Sequence, residues 1–208
     1  MDALDRIAQV VIRLGDRVIV EHPTFPPLLD LLEKIGADVI GVEVDAEGMN
    51  VEALTAALEQ KPMALFLQPR AQNPTGITMT AQRAKHIADA IVASGHSESI
   101  TIIEDDHAGD IAVGELNSIG NYLPTRTVHI RSYSKSHGPD LRLAAVGGAG
   151  DVISAAANRR LLGPGWSSRI LQAVLLELLD DQATLESLSH ARSEYSRRRQ
   201  EVVQILND

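Results

Sequence analysis

Short runs of branched and other apolar residues recur along the first three quarters of the chain, separated by stretches with helical periodicity. Residues 17–21, 38–44, 64–67, 100–103, 128–131 and 144–147 read as strands. Several are apolar at consecutive positions, as expected of strands whose two faces are both covered. Helical patterns occupy residues 2–14, 26–35, 51–60 and 81–93. Gly36 suits a helix C-cap, and Thr80 offers a hydroxyl as the N-cap of the next helix. Alternation of this kind predicts an α/β fold, a three-layer αβα sandwich built on a mostly parallel, mixed sheet. From residue 152 onward the pattern is helical only, over 152–162, 166–179 and 182–206, with Gly163-Pro-Gly-Trp166 interrupting the first two.

Composition narrows the function classes. Aromatics are only 3% of the 208 residues, so aliphatic side chains must fill the core. A formal net charge of −9 repels phosphate backbones, so direct nucleic-acid contact by this segment is not expected. Absence of cysteine excludes disulfides and cysteine–metal sites, and no metal site is expected. No apolar run approaches the roughly 20 residues of a membrane helix. The first residues are acidic where a signal peptide is basic, so a cytoplasmic location is expected.

Three polar segments follow predicted strands. Asn73-Pro-Thr-Gly76 comes after 64–67 and the connector Gln68-Pro-Arg-Ala-Gln72; by itself it is a set of turn residues. Glu104-Asp-Asp-His-Ala-Gly-Asp110 comes directly after 100–103. Carboxylates at the carboxyl end of a parallel strand lie where open α/β sheets bind ligands, although a solvated acidic loop or a metal site reads equally well. Ser132-Tyr-Ser-Lys-Ser-His-Gly-Pro-Asp-Leu-Arg142 follows 128–131. A lone lysine in a polar loop is usually only solvated, but flanking hydroxyls and an arginine seven residues on make this one more pointed.

Taken in order, these segments resemble the class I/II aminotransferases of fold type I. The likeness is greatest to the aminoadipate-type aminotransferases and to the aminotransferase-like domains of MocR/GntR-type regulators. Those proteins carry an Asn-Pro-Thr-Gly turn, a Glu-Asp-Asp-Tyr-like strand end and a Ser-x-Ser-Lys-x-x-x-Pro-x-Leu-Arg segment. Glu21-His-Pro-Thr-Phe25 and Val44-Asp-Ala-Glu-Gly48 extend the resemblance over nearly the whole chain.

The resemblance implies pyridoxal 5′-phosphate (PLP) as cofactor and an amino acid and a 2-oxo acid as substrates. Lys135 would form the Schiff base and then shuttle the α-proton. Asp105 would pair with the pyridine nitrogen; the family uses the first Asp after the Glu, whereas the residues alone do not separate Asp105 from Asp106. Asn73 would bond the 3′-oxygen of the ring, and Ser132, Ser134 and Arg142 would hold the phosphate, Arg142 as a bidentate fork. One position departs from the pattern: His107 stands where the family usually has Tyr. A histidine can still donate one hydrogen bond, so a cofactor contact is expected of it.

Blander expectations attach to other residues. His137 reads as a solvated loop residue, the apolar face over 170–178 as core, and Arg197-Arg-Arg199 as a solvated helix face. Trp166 and Ser167 lie where the family loop reaches a neighbouring subunit, and the resemblance implies a homodimer. It also divides the chain into residues 1–180, a PLP-binding large domain lacking its N-terminal part, and 181–208, a helix leading toward an absent small domain. A regulator's ligand-sensing domain without turnover is the competing expectation. A remnant that folds without PLP is a third, disfavoured because Lys135, Asp105, Asn73 and Arg142 are all retained.

Overall fold

A computed structural model describes residues 1–95 and 98–207. Its centre is a seven-stranded sheet formed by β1 (Arg17–His22), β2 (Asp38–Asp45), β3 (Gly48–Met49), β4 (Ala64–Leu67), β5 (Thr101–Asp106), β6 (Thr127–Ser132) and β7 (Ala144–Gly148). The order is β3-β2-β1-β4-β5-β6-β7. The five inner strands of that order run parallel, and the two edge strands β3 and β7 pair antiparallel with their neighbours. The expected mixed, mostly parallel sheet is what forms.

Alternation along each strand sorts side chains into two cores. Ile19, Leu65, Leu67 and Ile102 pack with α3 (Val51–Leu58) and α4 (Ala81–Ala93) on one face. Val18, Val20, Phe66 and Ile103 pack with α1 (Asp2–Val11), α2 (Pro26–Ile35) and α5 (Gly150–Arg160) on the other. The three layers follow, with aliphatic side chains supplying nearly all the filling.

Both expected caps form. Gly36 ends α2 in the left-handed region at φ 79, its N–H donating to the carbonyls of Leu32 and Glu33. The Thr80 hydroxyl accepts from the Arg83 N–H at the start of α4. Some helix ends differ from expectation. Helix α1 stops at Val11 rather than 14, because the Asp16 carboxylate captures the Arg13 N–H and Gly15 turns the chain at φ 82. Helix α6 (Arg169–Asp180) starts at its Ser168 cap instead of 166, the Ser168 hydroxyl accepting from the Leu171 N–H.

Two expectations about packing are corrected. Leu175 of α6 is buried, yet Ile170 is 77% and Leu176 65% exposed, so the apolar face over 170–178 is not core in this chain. Its pattern is amphipathic, but α6 packs mainly on α7 (Gln182–Asn207). His137 is half-buried, not solvated, with its ring edge-on to Tyr133 at 5.6 Å. Arg197 lies on an exposed face as expected, paired with Glu194 and Glu201. Among the described residues no helix is long and apolar enough to cross a membrane, and no cluster of ligating side chains could hold a metal ion.

Candidate active site

The carboxyl ends of β4, β5 and β6 lie side by side, so three segments far apart in sequence open onto one place. Strand β5 runs through Asp106, three residues beyond the apolar run, which puts Glu104, Asp105 and Asp106 in the strand instead of in a loop after it. Alternation then separates their roles. Asp105 follows Ile103 by two and faces the α1 layer, whereas Glu104 and Asp106 face the opposite way. The residues in order do not distinguish the two aspartates; the pleat does.

Asp106 is fully buried and anchors the strand end. Arg70 forks onto it with Nε and Nη2, both at 2.8 Å, and Arg131 adds Nη1 at 2.8 Å. Arg131 also pairs with Asp110. Burial alone would raise the Asp106 carboxyl, but the hydrogen bond from Arg70, aided by His129 and Arg131, holds it well below the usual carboxylate range. Glu104, equally buried, accepts from the Ser118 hydroxyl at 2.7 Å and the Ile119 N–H at 2.6 Å. His129 Nδ1 lies 2.9 Å from Glu104 and Nε2 3.8 Å from Asp106. Burial opposes its charge, yet these two carboxylates outweigh that and push His129 up to about 9. Gly109 accepts φ 59 here, where a Cβ would meet the Ser132 carbonyl at 2.9 Å.

In front of this scaffold lies a cavity of about 470 Å³. Asn73, Asp105, His107, Ser132, Ser134, Lys135 and Arg142, the seven residues for which the resemblance implies a cofactor contact, line it. The N-terminus of α1 contributes Met1, Asp2 and Ala3 to the same wall. Lys135 is exposed to the cavity, and no hydrogen bond or ion pair among the described residues engages its amine. Arg142 is likewise exposed and unpaired among the described residues, its backbone in the left-handed region at φ 49. His107 Nδ1 is buried with no partner. Burial lowers the His107 pKa, with the Lys135 charge in the same direction and Asp105 opposing. Burial raises the Asp105 carboxyl above its usual range, while a hydrogen bond from Gln68 and the charge of His107 pull it back.

Several residues of the site were not singled out from the sequence. Gln68 Nε2 donates to Asp105 Oδ2 at 3.1 Å, and Gln68 Oε1 accepts from the Asn73 N–H at 2.7 Å. Glu21, at the end of β1, is buried and accepts from the Gln68 N–H at 3.0 Å. Arg160, from the end of α5, reaches the cavity; its Nη2 donates to the Ser167 hydroxyl at 2.6 Å while its Nε is buried without a partner. For Gln68 and Glu21 a signal existed: each is a polar residue directly after an apolar run, at the same sheet edge as the motifs.

Comparison with known proteins agrees with this geometry. A family model for aminotransferase class I and II matches residues 1–208. The chain is 34% identical over 208 residues to the vitamin B6 salvage pathway transcriptional repressor PtsJ of Salmonella typhimurium, covering 99% of this chain and 47% of that protein. It is 31% identical to the aminotransferase swnA of Metarhizium robertsii, covering 97% and 44%. The chain thus spans about half the length of the curated relatives it matches. Kynurenine aminotransferase of Pyrococcus horikoshii, solved with PMP, superposes with a TM-score of 0.89 at 24% identity, over all of this chain and 52% of the other, and so shares the fold. Motifs, sheet and match over its full length agree: this chain belongs to the class I and II aminotransferase family.

Proposed function

We propose that this chain is the cofactor-binding part of an aminotransferase-type protein that holds PLP through Lys135 and exchanges an amino group between an amino acid and a 2-oxo acid. The observation that carries the reading is convergence. Seven residues chosen from three separated segments line one cavity, and three of them, Lys135, Arg142 and His107, present polar groups that nothing among the described residues satisfies.

The residues fit the cofactor's chemistry. Arg142, with the hydroxyls of Ser132 and Ser134, forms a cationic, donor-rich end suited to a phosphate. Asp105 is a carboxylate raised by burial, which a protonated ring nitrogen would relieve. The orphaned His107 Nδ1 and the amide of Asn73 are donors for a ring oxygen. When bound, the cofactor supplies an electron sink next to the substrate α-carbon. Lys135 would hold the cofactor at rest and carry the proton to and from that carbon. Asp105, fixed by its strand, would keep the ring nitrogen protonated. His107 would orient the ring through its unpartnered Nδ1.

Titrating the purified protein with PLP, following visible absorption, then reducing with borohydride and mapping the modified lysine by mass spectrometry tests this. Saturable absorption with label on Lys135, lost in Lys135→Ala, is the expected result. Scattered labelling of surface lysines would sink it.

The likeness to PtsJ supports a second reading, a ligand-sensing domain of a regulator that binds PLP without turnover. Formation of a 2-oxo acid by the loaded, intact protein separates the two readings. For the assembly, the exposed aliphatic face of α6 together with Trp166 supports a homodimer, which light scattering checks.

A further inference from the structure

A chain of hydrogen bonds joins Glu21, Gln68, Asp105 and the Asn73 N–H, and it links two of the three motifs through Gln68, which belongs to neither. β4 and β5 are paired with Leu67 opposite Glu104, so Gln68 stands beside Asp105 one step beyond that register. Gln68 follows Phe66 by two and therefore faces the same layer as Asp105. Its amide is fully directed. The Asn73 N–H is a donor, so the oxygen of the Gln68 side chain must face it at 2.7 Å, and the NH2 group must then face Asp105 at 3.1 Å. The main chain of Gln68 is held in turn, its N–H donating to Glu21 Oε2 at 3.0 Å. Glu21, Gln68 and Asp105 also share a void of about 10 Å³, walled by Leu4, Leu28, Phe66 and Leu67, too small for more than one water.

From this geometry we infer that Gln68 is a positioning residue: it aims one oxygen of Asp105, favours its ionised form and ties it to the Asn73 turn. The inference rests on the reading of Asp105 as the carboxylate facing the ring nitrogen. A donated amide N–H is accepted best by Oδ2 while that oxygen carries no proton, so Gln68 leaves Oδ1 as the atom available to the cavity. One side chain thus directs Asp105 and opposes the effect of its burial, and the same side chain holds the turn carrying Asn73. Other charges acting on Asp105 are His107, Asp106 and the α-amino group of Met1; the one acting on Glu21 is Asp105. None of them is removed by a change at Gln68.

The test uses the chain with carbon-13-labelled aspartate, first without PLP. In the wild type the side-chain NH2 signals of Gln68 should titrate with the midpoint of the Asp105 carboxyl. In Gln68→Met, close in shape but unable to donate, that midpoint should rise by about one pH unit, a tenfold change in proton affinity. PLP affinity, followed by absorption, should weaken about tenfold in the same variant. An Asp105 midpoint unmoved in Gln68→Met overturns the inference. So do Gln68 amide signals that ignore the Asp105 titration, a result readable in the wild type even if the variant fails to fold. Failure of wild-type chain to bind PLP would instead count against the proposed function, and the cofactor-free midpoints would still decide the role of Gln68.

Discussion

Replacing the Glu21 carboxyl by an amide, in Glu21→Gln, should make the protein less sensitive to alkaline pH, by an amount the structure sets. Burial pushes the Glu21 carboxyl from an ordinary 4.5 up to about 8, and the charge of Asp105 adds to it; hydrogen bonds from the Gln68 N–H and Gln72 only partly oppose this. Above about pH 4.5 the unfolded chain has released this proton while the folded protein keeps it. The folded state binds more protons, so wild-type stability falls as pH rises from about 4.5 to about 8 and levels beyond. At about 1.4 kcal/mol per pH unit, the full effect is up to about 5 kcal/mol. The amide keeps the shape of the side chain and an oxygen for the Gln68 N–H but never ionises. Urea unfolding of both proteins at pH 5, 7 and 9 should therefore show the variant gaining about 3–5 kcal/mol on the wild type across that range. The slope contributed by Asp105 is common to both proteins and largely cancels in the difference. A gap that stays constant with pH would refute the reasoning, since it would mean that Glu21 titrates alike in the folded and unfolded states.

Three further outcomes are expected. Asp106→Asn strips the shared carboxylate from Arg70 and Arg131 and should cost about 3–5 kcal/mol in urea unfolding at pH 7; because the folded carboxyl is held low, that stabilisation is present above about pH 4 and lost as pH falls through the acid range, so the gap to wild type should shrink there. Arg142→Lys keeps the charge but loses the fork, and PLP affinity read by absorption should fall about tenfold or more; an unchanged affinity would remove Arg142 from the phosphate site. His107→Phe fills the same space without a donor, so the pH titration of the absorption of the PLP-loaded protein should shift, and an identical titration would end the cofactor role of His107.

Much of this molecule is legible from its residues in order. The apolar run at 64–67 and the run at 100–103, apolar but for Thr101, read as doubly covered strands because a short strand inside such a sheet buries both faces, and both turn out to lie in the middle of the sheet. Gly36 and Thr80 cap their helices through local chemistry that needs no tertiary partner. Less legible is anything resting on what packs against what. The apolar stripe of α6 is periodic, yet period says only that a face exists and not whether the chain supplies a neighbour for it. Helix ends at 11 and 169 depart from the periodicity because a carboxylate at Asp16 and a hydroxyl at Ser168 compete for backbone N–H groups.

Family membership, the mostly parallel sheet and seven of the residues that line the cavity were in the sequence, because motif residues follow strands and strands deliver their carboxyl ends to one edge. Tertiary structure alone decided which aspartate faces the cavity, since that depends on where β5 ends and how its pleat falls. It alone brought Gln68 beside Asp105 and Glu21 beneath both, since strand register relates positions 37 and 47 residues apart that no local pattern connects. The same holds for the charges of the site. His107 and Asp105 are written in the chain, but the direction in which each shifts depends on burial and on partners that only folding assembles.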